Sequence, residues 1–530
     1  MSTTHCERNI PAEEPRTGTV LTTALGERRR WAVLLVLLFA QFVLAIDLTI
    51  MDIALPGIST QLHPSSEQQL WIVDVYSLVL AGLLVAASSL SDRIGRKRTF
   101  LSGALVFCIG SALVLAARSA PGVIGVRAVM GVAAALIMPT TISAVRNIFL
   151  DAVEWVVAVA AWSIVGGAGM AVGPVLGGFL VERFSWHSAF LVNIPLMGLV
   201  LVAGIAVLPE IKVVKKGPWD PAAAVLSLLG MVLTVWALKH IAAGDEAPAP
   251  RLLLTLALAL SAGIALLALF VRRCLRAAEP LLKVRLFADR TFTGGILAAF
   301  GSMFALASML FLLSQWMQLV NGFSPLRSGV LLLPAVLSGI LSGATAPALA
   351  RLLGARRVMA GGIAVAGLAL LLLFLLRGAL GYPLVAVVMA LVGLGMGSLA
   401  VGSAALMGAT PPEKASSGAA FEEIAYDLGN VLGVAVLGSI ASITYRLGLD
   451  ADSLAEAGVD AGLAAQASQS YAAAVSIARE HGLDELASRA TASFNGSVVL
   501  TSAVGGLITV IVAVLVHRLV PRGLDLQSDE

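Results

Sequence analysis

Residues Trp31 to Pro56 read WAVLLVLLFAQFVLAIDLTIMDIALP. A helix of about 20 apolar residues crosses the hydrocarbon core of a bilayer, and this run is long enough. Glu27-Arg-Arg-Arg30 precedes it and anchors it on the inner side of a membrane. Two carboxylates, Asp47 and Asp52, interrupt it. A charge at that depth costs about 3 kcal/mol on insertion scales, and it is retained where it faces a cavity or a partner and has a task. The stretch therefore reads as a membrane span whose acids need an explanation.

The pattern continues along all 530 residues. Hydrophobic residues make up 58% of the chain and charged ones 13%, against roughly 25% charged in a soluble domain. Mean hydropathy is +0.93. This is the composition of an all-α polytopic membrane protein. A β-barrel is excluded, because its strands would alternate polar and apolar over about 10 residues. Fourteen spans are predicted, at 31–54, 70–91, 99–117, 122–147, 155–180, 188–208, 220–240, 251–271, 291–316, 328–350, 357–376, 381–408, 416–445 and 496–518. The predicted inner loops carry the bases: Arg93, Arg96, Lys97 and Arg98; Lys212, Lys215 and Lys216; Arg272, Arg273, Arg276, Lys283, Arg285 and Arg290; Arg351, Arg356 and Arg357. The first outer loop, from Leu55 to Gln69, has no Lys or Arg. That asymmetry places both termini in the cytoplasm and requires an even number of spans, with twelve as the alternative count.

A weak repeat divides the chain. Asp92-Arg-Ile-Gly-Arg-Lys97 follows span 2, and Arg351-Leu-Leu-Gly-Ala-Arg356 follows span 10, with Gly and a base at matching offsets. The predicted organisation is a cytoplasmic tail (1–30), a six-helix bundle (31–210), two inserted spans with their loops (211–290), a second six-helix bundle (291–518) and a short tail (519–530). Residues 446–495 are expected to form an extracytoplasmic helical hairpin broken at Gly482. Two related halves with a site between them is the logic of secondary transporters.

Several motifs then resemble the major facilitator superfamily, and within it the fourteen-span drug:proton antiporters. Ser88-Ser-Leu-Ser-Asp-Arg-Ile-Gly-Arg-Lys-Arg98 resembles the loop motif between spans 2 and 3, with Ser88 where Gly is usual. Val123 to Arg127 with Gly131 is similar to the span 4 motif, and Gly169-Met-Ala-Val-Gly-Pro-Val-Leu-Gly-Gly178 matches the antiporter motif in full. The opening stretch resembles the span 1 motif, with Asp52 where Asn is more usual. Gln69 to Gly82, Ile137 to Thr141, Phe184 to Phe190, Ser314 to Gln318 and Tyr426 to Ala435 look like the QacA-type quaternary-ammonium exporters. The resemblance implies a major facilitator fold that expels lipophilic cationic drugs, antiseptics and dyes in exchange for protons. A dedicated exporter of a single antibiotic or other natural product is the alternative. The expected partners are lipophilic cations, protons and the bilayer, with no nucleic acid and a monomer as the working unit.

Helix counting assigns the residues their places. Span 1 runs outward, so Asp47 lies about 16 residues, or roughly 24 Å, into it. Asp74 and Arg127 fall at similar levels in spans 2 and 4, so Arg127 can neutralise Asp47 or Asp74. Asp74, with Trp71 on the same face at i−3, suits a lipophilic cation through charge and cation–π attraction. Asp52 lies about 140° around the helix from Asp47 and just before Pro56, where it reads as a solvated mouth residue. On span 13, Glu423 and Asp427 share a face four residues apart while Glu422 points away. Cation and proton are expected to compete for one of these carboxylates, with Tyr426 beside them as an aromatic contact. Gly169, Gly173, Gly177 and Gly178 permit close helix approach and Pro174 bends the span, which seals the outer half. Asp92 with Arg93, Gly95 and Arg96 is expected to form an inner gate.

Other classes fail on the residues. Cys6, Cys108 and Cys274 are too few and too scattered for a disulfide framework or a metal site. The six histidines (His5, His63, His187, His240, His481 and His517) show no ligand spacing. No Gly-x-x-x-x-Gly-Lys-Ser/Thr loop is present, so no ATP drive and no cofactor are expected. The middle of span 10, Pro334 to Pro347, has no acid, which implies weak recognition of divalent cations.

Overall fold

The computed structural model describes residues 26–149, 151–210, 220–243, 250–277, 282–411, 415–449, 454 and 459–524. Lys212, Lys215, Lys216, parts of both predicted tails, part of the hairpin, and the Asp92 side chain lie outside what is described. Every regular element among the described residues is helical. In a medium without water, a helix satisfies its own backbone N–H and C=O groups, and these apolar runs have no other cheap option.

The main helices are α1 (Glu27–Leu62), α2 (Ser66–Ile94), α3 (Arg96–Ala116), α4 (Ala120–Ile148), α5 (Ala152–Arg183), α6 (Ser188–Val207) and α7 (Pro221–Ala243). There follow α8 (Pro250–Arg276), α9 (Arg290–Val320, ending in a π turn), α10 (Pro325–Leu353), α11 (Ala355–Leu375), α12 (Tyr382–Gly408), α13 (Ala415–Leu447) and α14 (Asp484–Leu519). Among the described residues, twelve of them hold a stretch long and apolar enough to cross a membrane. The other two are α2, which carries Glu67, Asp74, Asp92 and Arg93 along its length, and α7, whose apolar part is Pro221–Ala237.

Start and stop signals are local. Ser65 accepts from the Gln68 amide while the Gln68 side chain returns to the Ser65 amide, a reciprocal cap on α2. Ser324 caps α10 ahead of Pro325 in the first turn. Gly95 and Gly354 each form a one-residue turn at positive φ (114° and 87°) between α2 and α3 and between α10 and α11. A side chain is strained at those angles, so glycine is required in both copies of the loop repeat.

The packing is duplicated. Helix α1 packs on α5, α2 on α4, α3 on α4 and α6; eight helices later, α9 packs on α13, α10 on α12, α11 on α12 and α14. The two six-helix bundles meet through α5 against α10 and through α2 against α13. These are the same pair of positions with the halves exchanged. Helices α7 and α8 pack on each other, and α7 lies along α2 and α13 at the seam. Arg273 at the end of α8 bonds Asp220 at 2.7 Å, and that bond, with the Ala223 amide, holds the Asp220 carboxyl below the usual carboxylate range. At the opposite end His240 of α7 lies 3.3 Å from Glu67 of α2.

Two sequence readings of extent are corrected. Helix α1 does not end near Pro56 but continues to Leu62, where His63 turns left-handed (φ 44°) before Pro64. Proline removes one N–H without breaking a helix that is packed on all sides. Asp52 is therefore buried, 8% exposed, and is not a solvated mouth residue. Helix α14 begins at Asp484 and runs unbroken for 36 residues, so the second arm of the expected hairpin is the start of the last long helix. The short helices Ala461–Ala467 and Tyr471–His481 precede it, and Gly482 makes the left-handed stop (φ 67°). Together with Tyr445 and Leu449 they form a small core of their own at what is here called the hairpin end of the bundle.

Candidate functional site

A buried charge layer crosses the first bundle towards the hairpin end. Asp47, Asp74 and Arg127 are all 0% exposed. The Arg127 Nη1 donates to Asp47 Oδ2 at 2.7 Å, and its Nε donates to the Ile72 carbonyl at 3.3 Å. Its guanidinium carbon stands 4.5 Å from the Tyr76 ring centroid. Asn193 of α6 donates to the other Asp47 oxygen at 2.8 Å. Four helices thus converge on one ion pair. Both Asp47 oxygens are engaged inside the first bundle. Asn193 and Tyr76 were not singled out from sequence. The signal for Asn193 was a lone amide in an otherwise apolar span.

The second set of acids lies on α13. Asp427 is 2% exposed, while Glu422 and Glu423 are half-buried. Ser403 of α12 bonds the Glu422 carboxyl, which turns that acid into its own bundle. Glu423 and Asp427 act on each other electrostatically, and both act on Tyr76 of the first bundle. The Tyr426 hydroxyl meets Met170 Sδ of α5 at 3.2 Å, and Asn430 donates to Ser77 of α2 at 3.1 Å. Glu423 and Asp427 therefore stand on the seam side of α13, and Glu422 does not. The Trp71 indole N–H points to Glu67 at 3.1 Å, at the α7 side of α2.

The antiporter motif has two faces. Carbon added at Gly169, Gly173 or Gly177 would meet Ala45, Thr49 and Ile50 of α1. Gly178, one residue on, faces the backbone of Pro325 and Leu326 of α10, and Gly329 in turn faces the Pro174 carbonyl. Glu182 accepts the Leu326 amide at 3.1 Å beside this contact. Pro174 and Pro56 each lack an N–H and so leave a carbonyl four residues back without its helical donor. Thr49 lies 3.3 Å from the Met170 carbonyl and Ser314 of α9 donates to the Asp52 carbonyl at 3.0 Å, so neighbouring helices supply what the prolines withhold. The glycine spacing of the motif recurs on α13. Gly429 and Gly433 seat α13 on Phe300 and Phe304 of α9, and Gly438 faces Leu70 of α2. The spacing of Gly169, Gly173 and Gly178 recurs, shifted by one constant offset, but without the proline.

At the far end, carbon on Gly95 would strike the Glu210 carboxylate, Arg98 approaches Glu210 at 3.6 Å, and Lys97 donates to the Ile205 carbonyl at 2.8 Å. Arg93 is exposed and Arg96 half-buried. Glu210 is the acid that seats this loop, and sequence reading passed over it because it follows Pro209 outside any span.

The family model described as the Major Facilitator Superfamily matches residues 37–434. The chain belongs to the major facilitator superfamily. Among relatives, the multidrug efflux pump LfrA of Mycolicibacterium smegmatis is 37% identical over 94% of this chain and 98% of its own. The methyl viologen resistance protein SmvA of Salmonella typhimurium is 33% identical over 83% and 90%. The tetracenomycin C resistance and export protein of Streptomyces glaucescens is 31% identical over 80% and 78%. A crystal structure of a bacterial homologue of the human lysosomal transporter Spinster, inward-facing and unoccupied, shares the fold with TM-score 0.62 and 17% identity, covering 93% of this chain and 98% of that one. This major facilitator protein is a multi-pass membrane transporter and not an enzyme.

Proposed function

We propose that this protein exports lipophilic cations across the cytoplasmic membrane in exchange for protons, with fourteen spans, both termini inside and the hairpin end facing out. One observation carries the reading. Asp427 is buried on α13, adjoining Tyr426, whose hydroxyl touches the antiporter motif of the other bundle. A carboxylate at the seam between two halves is reached from one side and then the other as the halves rock. A cation arriving from the cytoplasm displaces the proton from Glu423, Asp427 or Asp74, and a proton from outside displaces the cation. The names of LfrA and SmvA support a drug cargo. The tetracenomycin relative favours the second reading, a dedicated antibiotic exporter.

Ethidium efflux from loaded cells expressing the protein should stop when an uncoupler collapses the proton gradient; efflux that persists sinks antiport. A cation about 5 Å from a carboxylate at an effective dielectric near 20 gains about 3 kcal/mol. Asp427→Asn should therefore weaken ethidium binding on the order of a hundredfold, read by fluorescence titration of the purified protein. Paired assays of ethidium and methyl viologen test the span 10 reading, with the monovalent dye expected to leave faster. Equal or faster methyl viologen efflux places dication recognition in other carboxylates.

A further inference from the structure

A cavity of about 60 Å³ lies at the hairpin end where three parts of the chain meet: α1 and α2 of the first bundle, α9 and α13 of the second, and the segment that opens the short helix Tyr471–His481. At about 10–15 Å³ per enclosed water it has room for roughly four to six waters. That suits a small onium head and falls well short of a three-ring dye. Among the described residues, none that lines it carries a charge. Its polar groups are acceptors. Gln69 donates its amide to the Pro64 carbonyl at 3.3 Å and Gln315 donates to the Phe311 carbonyl at 3.4 Å, so each has its amide oxygen left to offer. The buried Ser442 Oγ, also in the lining, makes no hydrogen bond within the protein.

Four aromatic rings join these oxygens. Tyr445 and Phe494 have ring centroids 6.3 Å apart, and Tyr471 and Phe494 5.2 Å apart, so three of the four stand together. Both tyrosine hydroxyls are committed. Tyr445 donates to the Ala467 carbonyl at 3.3 Å and Tyr471 shares a bond with Thr491 at 3.1 Å, which holds the rings in place. The fourth ring, Phe311, comes from α9. Rings and acceptor oxygens attract a compact organic cation and require no N–H from it. A phosphate would find no Lys or Arg in the lining, so a lipid headgroup is a poor fit. Ser442 lies fifteen residues beyond Asp427 on α13, roughly 22 Å along the helix, so this place is distinct from the buried acids.

We propose that this cavity is a second binding site, for the quaternary ammonium head of a cation. On the export reading above it is the last station on the way out, and its lack of a carboxylate lets the head leave readily. Its place on the exit path rests on that reading, whereas the binding does not.

The test uses tetramethylammonium, the head alone, with saturation-transfer NMR on the purified protein, which reads weak binding from the methyl signal. Tyr471→Leu removes a ring and keeps an apolar side chain, and it should weaken binding about fivefold. Tyr471→Phe gives up the Thr491 bond but keeps the ring, and it should bind like the unaltered protein. Gln69→Glu sets a carboxylate in the lining near the start of α2, where a helix favours one, and should tighten binding about tenfold. Three results overturn the inference: Gln69→Glu binding no more tightly, Tyr471→Phe losing as much as Tyr471→Leu, or Asp427→Asn abolishing binding while Tyr471→Leu leaves it intact. Competition by phosphocholine would give the cavity to lipid headgroups and overturn it too. A protein that binds tetramethylammonium in the expected pattern but exports no cation keeps the site and loses the export reading.

Discussion

Arg127→Ala should abolish export and destabilise the first bundle by about 3–5 kcal/mol, the cost of leaving a buried charge without its partner. The arginine holds Asp47 at 2.7 Å, caps the Ile72 carbonyl at 3.3 Å and lies over Tyr76, and alanine removes all three contacts at once. Arg127→Lys should rescue little, because one ammonium cannot serve a carboxylate, a carbonyl and a ring in a planar arrangement. The informative variant is the double one. Asp47→Asn with Arg127→Gln removes both charges, keeps hydrogen-bonding groups in place, and should recover most of the lost stability in a thermal melt of the solubilised protein. If export returns with stability, the pair is only a structural lock. Our expectation is that export stays lost, because the layer lies against α2, which packs on α13 and bonds it through Ser77 and Asn430 across the seam. An Arg127→Ala protein that melts and exports like the unaltered one would remove the layer from the mechanism.

What could be read beforehand follows a physical divide. Long apolar runs and the placement of bases report on the bilayer, which acts on every residue in the same way, so helices appear in one dimension. Depth is also linear in residue number, and counting alone brought Asp47 and Arg127 to one level, where they pair. Partner choice is not linear. Asn193 and Glu210 matter through residues 146 and 115 positions away, and only packing declares them. Pro56 misled for a related reason. In water it would mark a helix end, but inside a packed bundle Ser314 supplies the missing donor and the helix continues. Asp52 changed from a mouth residue to a buried one on that single point. The glycine copy on α13 keeps the spacing of α5 but lacks its proline, and glycine spacing alone does not say which neighbour a helix approaches.

Gly178→Ala is the second change of large expected effect, and its severity depends on what stands opposite. The added methyl would meet the backbone of Pro325 and Leu326, which cannot rotate away. Overpacking of this kind costs about 1–3 kcal/mol. The cost falls only on the arrangement in which α5 and α10 touch at the hairpin end, since in a state that opens there the contact is absent. The variant therefore shifts the balance between states, by roughly 30-fold for about 2 kcal/mol. Export should fall by a similar factor while the protein still folds, because the three glycines that seat α5 on α1 are untouched. Gly438→Ala is the matched comparison. Its methyl would meet the Leu70 and Phe311 side chains, which can turn, so export should fall by no more than about threefold. A cysteine placed near Leu326 in a cysteine-free background reads the gate directly. Its labelling from outside should rise in Gly178→Ala and barely change in Gly438→Ala. Equal losses in the two variants would mean that glycine spacing alone, and not the backbone contact between α5 and α10, closes this end of the transporter.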